Sequence, residues 1–272
     1  MNILISTNMY QVCDLPRVIE LVNEFPQENL GVEIFAMFHK DEYEDVLKGL
    51  LDEFKKMPVT FHGTYYKTEH SKEKGTEEYE RSMNYYMLTL KYAKLLNSSY
   101  IVFHHNNCAI NPDEKQKHID ISRENLKEIN KITRAEGIEV VVENAGVISR
   151  RNMLFTEDEF IEECLSIDNP VLIDIGHANA NGWNLKRVIE SLKDKIIAYH
   201  VHNNGGYEDD HRRVYDGTND FDSFLDLYRE FTPNAEIVME YDFSLADKHE
   251  ELVEDLRMLC DFRKSLKNSI LD

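Results

Sequence analysis

A closed parallel (β/α)₈ barrel is the fold class this sequence predicts, on three observations. Short β-rich runs alternate with longer amphipathic segments along the whole chain. Several runs are almost continuously apolar, as in Ile101-Val102-Phe103, Val140-Val141-Val142 and Ile196-Ile197-Ala198, which suits strands covered on both faces. The 272 residues fall near the ~250 typical of such a barrel.

The elements follow in order. The expected strand–helix pairs are Asn2–Ser6 with Leu15–Glu24, Val32–Phe35 with Glu42–Lys56, Val59–His62 with Thr76–Leu96, and Tyr100–His104 with Pro112–Glu136. Then come Glu139–Glu143 with Glu157–Leu165, Val171–Asp174 with Leu185–Lys193, Ile196–His200 with Phe221–Phe231, and Glu236–Glu240 with Ala246–Leu266. Asn111-Pro112 sets a polar cap before a first-turn proline, and Thr156 precedes Glu157-Asp158-Glu159 at a helix start. A doubly wound open sheet is the rival, but no GxGxxG follows the first strand. No linker, low-complexity tract or composition break divides the chain, so one domain over residues 1–272 is expected. The loop Tyr65–Gly75 is placed either over the barrel mouth or on the solvated surface, and the stripe Tyr79, Tyr85, Tyr86, Tyr92 is read as helix packing.

Composition narrows the function classes. Asp+Glu number 51 against Lys+Arg 31, a formal charge of −20. Gripping a nucleic-acid backbone needs a basic footprint, so a nucleic-acid partner is not expected. No basic, apolar leader opens the sequence, and no run approaches the ~18 apolar residues that cross a bilayer. Cys13, Cys108, Cys164 and Cys260 are widely spaced without a CxxC pair, as in a reducing compartment. The expected location is the cytoplasm, with no membrane partner.

The ionisable residues then gather at one end of the frame. The third strand ends at His62, and the fourth runs into His104-His105. The fifth ends in Glu143-Asn144 and the sixth in Asp174-Ile175-Gly176-His177. The seventh carries His200-Val201-His202-Asn203-Asn204, followed by Asp209-Asp210-His211, and the eighth ends in Glu240. The C-terminal ends of all strands in such a barrel open on one face, where active sites sit. A lone strand-end histidine is more often a hydrogen-bonded core residue, but independent core residues would not all fall at strand ends. Buried charge in this density calls for pairing or a metal. Imidazole and carboxylate donors without thiolate favour Zn²⁺, Mn²⁺, Co²⁺ or Fe²⁺ over Ca²⁺.

Val140-Val141-Val142-Glu143-Asn144, Ile173-Asp174-Ile175-Gly176-His177, the histidine-rich seventh strand and Val238-Met239-Glu240 together resemble the xylose isomerase-like TIM-barrel superfamily. That group holds sugar-phosphate isomerases and epimerases, ketose 3-epimerases, hydroxypyruvate isomerase, inosose dehydratase and endonuclease IV. The resemblance implies a divalent metal held by Glu143, Asp174, His200 and Glu240, with His202 as the alternative seventh-strand ligand. It implies that Glu143 and Glu240 form the acid/base pair and that His177 contacts substrate. The activity implied is a sugar or sugar-phosphate isomerase or epimerase working through an enediolate next to a carbonyl.

Endonuclease IV, a three-zinc DNA repair enzyme, is the rival within the same group. His62, His104, His177, Asp209 and His211 match its additional ligand positions, so one ion is expected and up to three are open. The −20 charge weighs against a duplex. His62 and His104 are otherwise candidate substrate contacts, and Arg212, in the cluster Arg212-Arg213 with Arg150-Arg151, is a candidate for gripping a phosphate or carboxylate. Asn219 stands where isomerase-like members carry a second glycine. A metal- or sugar-binding barrel without turnover is the non-enzyme alternative. Barrels of this kind often pair, so a homo-oligomer also stays open.

Overall fold

A computed structural model describes residues 1–269. Eight parallel strands close in sequence order into a barrel. They are β1 (Ile3–Ser6), β2 (Gly31–Phe35), β3 (Val59–His62), β4 (Tyr100–Phe103), β5 (Glu139–Glu143), β6 (Val171–Asp174), β7 (Ile196–Val201) and β8 (Glu236–Met239). β8 returns to β1 with Leu4 opposite Val238. Around them run α1 (Pro16–Asn23), α2 (Tyr43–Phe54), α3 (Glu77–Leu95), α4 (Lys115–Ala135), α5 (Glu157–Ser166), α6 (Ile175–Ala180), α7 (Leu185–Leu192), α8 (Phe221–Phe231) and α9 (His249–Ser269). No helix among the described residues is long and apolar enough to cross a membrane.

Side-chain alternation sorts each strand between two cores. Ile101, Phe103, Val140 and Val142 face the helices and join the main apolar cluster. Their neighbours Tyr100, Val102 and Val141 join Leu172 and Ala198 in a separate small cluster that fills the barrel interior. The inward parity of Val141 continues to Glu143, that of Leu172 to Asp174, and that of Ala198 to His200. The barrel interior is thus mainly apolar at mid-height, with Glu33 and Thr60 as buried polar exceptions, and ionisable at its upper rim.

The helix starts follow from caps. Thr156 and Glu159 form a reciprocal capping box on α5, and Thr76 Oγ1 accepts from Tyr79 N at the start of α3. Asn111 caps a short 3₁₀ turn, Pro112–Glu114, that leads into α4. The structure differs from the sequence expectation at α6, which begins directly where β6 ends. Asp174 closes the strand and also caps this helix, its Oδ1 accepting from His177 N at 2.6 Å. A strand-end acid doubling as a cap leaves no connecting loop to mark the helix. The final helix also starts later than expected, because Phe243–Leu245 forms a 3₁₀ turn before α9.

The loop after β3 both packs and covers. Glu69 is buried and accepts from the backbone amides of Asn107 (3.1 Å) and Cys108 (2.5 Å), while Tyr65 and Tyr66 line the barrel mouth. Tyr79, Tyr86 and Tyr92 are buried. The hydroxyls of Tyr79 and Tyr92 donate to Glu128 (2.9 Å) and Glu44 (2.6 Å), so the stripe packs rather than forming a ligand platform.

Two histidines belong to this scaffold. His70 stacks on Phe103 with 4.7 Å between ring centroids. His105, one position past the inward-facing His104, turns toward α4 and pairs Nδ1 with Ser122 Oγ at 2.8 Å. Burial, reinforced by neighbouring positive charge, holds each imidazole neutral, with a pKa lowered to about 3. The unfolded chain protonates these rings below about 6.5, whereas the folded one resists down to the lowered value. Their contribution is therefore complete above pH 6.5 and is lost at about 1.4 kcal/mol per pH unit for each residue as pH falls toward 3. Urea unfolding at pH 7 and pH 5 should register this loss, and His70→Phe should reduce the slope. A slope unchanged by that substitution contradicts the assignment.

Candidate metal centre

The rim side chains converge on a cavity of about 480 Å³ lined by Glu143, Glu240, His62, His104, His177 and His211, with Tyr65, Tyr66 and Phe243 toward solvent. Glu143, at the end of β5, bridges two sets of imidazoles with its two oxygens. Oε2 lies 2.8 Å from His104 Nε2 and 3.6 Å from His62 Nε2. Oε1 lies 3.3 Å from His177 Nδ1 and 3.5 Å from His200 Nδ1. His62 Nδ1 donates to the Gly63 carbonyl at 2.6 Å, so its Nε2 presents a lone pair to the carboxylate side when the ring is neutral. His104 is oriented by Asn107 Oδ1, 2.9 Å from its Nδ1.

Asp174 is fixed by its backbone, which exchanges two hydrogen bonds with the Asn144 side chain at 2.7 and 2.9 Å. Its Oδ2 faces His202 Nε2 at 3.0 Å and His200 Nδ1 at 3.8 Å. Glu240 follows β8 and brings Oε2 to 3.2 Å from His200 Nδ1. His200 Nδ1 faces Glu143, Asp174 and Glu240, whereas His202 pairs with Asp174, stacks on His211 at 3.8 Å and groups with His211 and Glu240, so both seventh-strand histidines lie within reach of an ion. In the loop after β7, Asp209 lies 3.2 Å from His211 Nε2 and 3.4 Å from His177 Nε2. His211 adopts φ 47°, a left-handed conformation uncommon for histidine.

Within this rim the groups His62/His104/Glu143, Glu143/Asp174/His200 and His177/Asp209/His211 each place their ligand atoms within 4.8 Å of one another. The donor set fits a divalent transition ion, being all imidazole nitrogen and carboxylate oxygen. Among the described residues, Nδ1 of His177, His200 and His202 and Oδ1 of Asp209 are buried with no hydrogen bond of good geometry, and buried polar atoms of this kind ask for a ligand.

Mutual charge governs the ionisation here. Burial pushes the Glu143 carboxyl up, but the adjacent His104 and His200 hold it well below the usual carboxylate range. Burial opposes ionisation of Asp174 too, yet His177 and His202 bring it down to about 2. Burial pushes the His200 imidazole down, and Glu240, Glu33 and Glu143 more than reverse it. His211 rises to about 10, since Asp209 and Glu240 outweigh its burial.

Arg212 falls outside this arrangement. Its Nη2 pairs with Asp210 Oδ2 at 2.6 Å, and it is not among the cavity-lining residues. Its backbone bridges Asn203, and the residue is exposed. Arg150 lines the mouth instead, held by Asp209 Oδ2 at 3.1 Å. Sequence reasoning missed Glu33. This carboxylate sits at mid-strand in β2, fully buried, with Oε1 2.8 Å from His200 Nε2. A glutamate between Val32 and Ile34 was its only signal.

The family described as Xylose isomerase-like TIM barrel matches residues 8–262. The fold is similar to that of a D-tagatose 3-epimerase-like protein, with TM-score 0.78 and 20% identity over 99% of this chain and 100% of that one. It is similar to D-psicose 3-epimerase from Clostridium cellulolyticum H10, solved with D-tagatose, with TM-score 0.75 and 15% identity over 98% and 99%. A third similar structure is the IOLI protein with a bound zinc atom, with TM-score 0.70 and 18% identity over 98% and 99%. An uncharacterized protein of Methanocaldococcus jannaschii is 31% identical over 129 residues, 45% of this chain and 43% of that protein. A second from the same organism is 25% identical over 143 residues, 53% and 55% of the two chains, so the match spans about half the length of these relatives. The chain belongs to the xylose isomerase-like TIM barrel family.

Proposed function

We propose that this protein is a divalent-metal-dependent sugar or sugar-phosphate isomerase or epimerase. One observation carries the reading: Glu143 and Glu240, from strands three apart in the closed barrel, line one cavity and flank the same imidazole nitrogen, His200 Nδ1. Glu143, Asp174, His200 and Glu240 would hold the ion. When bound, it supplies Lewis-acid stabilisation of negative charge on a substrate carbonyl oxygen. The side chains supply the rest. Glu143, held ionised by its imidazoles, is suited to take the proton from the carbon next to the carbonyl. Glu240 returns a proton from its own side of the cavity. His177, which lines the cavity, offers a contact to a substrate oxygen, and Tyr65 and Tyr66 help to exclude water at the mouth. The similarity to sugar 3-epimerase structures supports the substrate class.

The test is incubation of metal-loaded protein with ketoses and their phosphates in D₂O. Deuterium next to the carbonyl, together with a second epimer or isomer, is expected. No exchange with Mn²⁺, Co²⁺ or Zn²⁺ on any member of the panel rejects the reading. Chelation should lower turnover by roughly three orders of magnitude, reflecting the several kcal/mol of charge stabilisation an ion provides, and re-addition should restore it.

A second reading has its own support, because His62/His104/Glu143 and His177/Asp209/His211 are among the further candidate ion groups of the described residues. Three ions per chain with cleavage of an abasic-site oligonucleotide would establish a phosphoesterase. One ion per chain with ketose turnover favours the first reading.

A further inference from the structure

We propose that Glu33 is a positioning residue that fixes the tautomer of His200 and thereby aims His200 Nδ1 at the carboxylates of the site. The inference rests on the reading that the ion is held by Glu143, Asp174, His200 and Glu240. It begins with a carboxylate that has no folding rationale. Glu33 is fully buried in the barrel interior, where an apolar residue would avoid the cost of desolvating a charge. It has two polar partners. Oε1 lies 2.8 Å from His200 Nε2, and Oε2 accepts from Thr60 Oγ1 at 3.4 Å.

An ionised carboxylate can only accept, so the proton of this contact sits on His200 Nε2. In the neutral ring Nδ1 then carries the lone pair. That atom is buried with no hydrogen bond of good geometry and lies 3.2 Å from Glu240, 3.5 Å from Glu143 and 3.8 Å from Asp174. The imidazole therefore has a carboxylate behind it and three in front. Only one of its nitrogens can serve the cavity, and Glu33 decides which. Metal-ligating histidines are commonly backed by a carboxylate in this way, and losing that partner costs about 10–100-fold in metal affinity. The nearest interior neighbours do not take its place: Thr60 reaches only the far oxygen, and Val238, beside His200 in register, is apolar.

The experiment compares Co²⁺ and Zn²⁺ affinity, by competition with a chromophoric chelator, for the wild type, Glu33→Gln and Glu33→Leu. In Glu33→Gln the amide nitrogen can donate to Thr60 while the carbonyl oxygen keeps accepting from His200. It should therefore lose less than Glu33→Leu, which should bind about 10–100-fold more weakly than wild type. The visible spectrum of bound Co²⁺ should change in Glu33→Leu. Thermal unfolding of the metal-free proteins checks that each variant is folded, so that weaker ion binding by a folded Glu33→Leu reports positioning rather than a collapsed barrel. Long-range ¹⁵N–¹H correlation on the Zn²⁺-loaded wild type should show His200 protonated on Nε2, a readout that stands even where Glu33→Leu fails to fold. A proton on Nδ1, or wild-type affinity and spectrum in a folded Glu33→Leu, overturns the proposal while leaving the metal site intact. A wild type that takes up no divalent ion overturns both this proposal and the reading it rests on.

Discussion

Glu143→Gln is expected to abolish turnover and strip most of the bound metal while leaving the barrel folded. Each of its oxygens serves a different set of imidazoles, so one substitution reaches both. The amide removes the negative charge and turns one acceptor into a donor aimed at an imidazole. Loss of a positioned acid/base group alone costs about 10²–10⁴ in rate, and weakened ion binding adds to that. The fold should survive, because Glu143 ends its strand and the apolar run Val140–Val142 is unchanged. Turnover, metal per chain by plasma mass spectrometry, and melting temperature are the three measurements. Wild-type turnover with full metal content would remove Glu143 from the site.

Gly176→Ala is the second large effect, and it acts by volume alone. A Cβ at this position would stand 2.0 Å from His202 Cε1 and 2.4 Å from its Nδ1. His202 is fully buried, pinned by Asp174 Oδ2 at 3.0 Å and by its stack on His211, so it has no free direction in which to yield. Overpacking of this kind costs about 1–3 kcal/mol. Displacing His202 shifts Asp174 and His211 with it, and a misplacement of ~1 Å at such a site costs about 100-fold in rate. Gly182→Ala is the control. It lies at φ +67° with nothing within 4 Å of its Cβ, so it should lose about 1 kcal/mol of stability to left-handed backbone strain and leave the site undisturbed. Equal turnover losses in the two variants would contradict the steric account.

The strand ends were legible because two signals coincide there. Val140-Val141-Val142-Glu143 reads as a buried strand from its apolar run and as a site from its last residue, and both readings come from the same alternation of faces. The other losses are equally physical. The helix α6 was hidden because Asp174 serves two elements at once. His105 sits beside His104 but faces the helices, since adjacent residues in an extended segment point to opposite sides. Arg212-Arg213 and Arg150-Arg151 read as one basic cluster, yet Arg150 lines the cavity while Arg212 pairs with Asp210, a division that depends on how the loop after β7 folds back. Glu33 shows the opposite failure: its sequence signal was plain, but the partner that gives it meaning lies 167 positions away.

The most direct test is to locate the metal. Diffraction from Zn²⁺-loaded crystals at the zinc edge should give an anomalous peak within bonding reach of Glu143, Asp174, His200 Nδ1 and Glu240. Further peaks at His62/His104/Glu143 and His177/Asp209/His211 would add ions to that centre without displacing it. A zinc-loaded protein with no anomalous density among those four ligands would contradict the account.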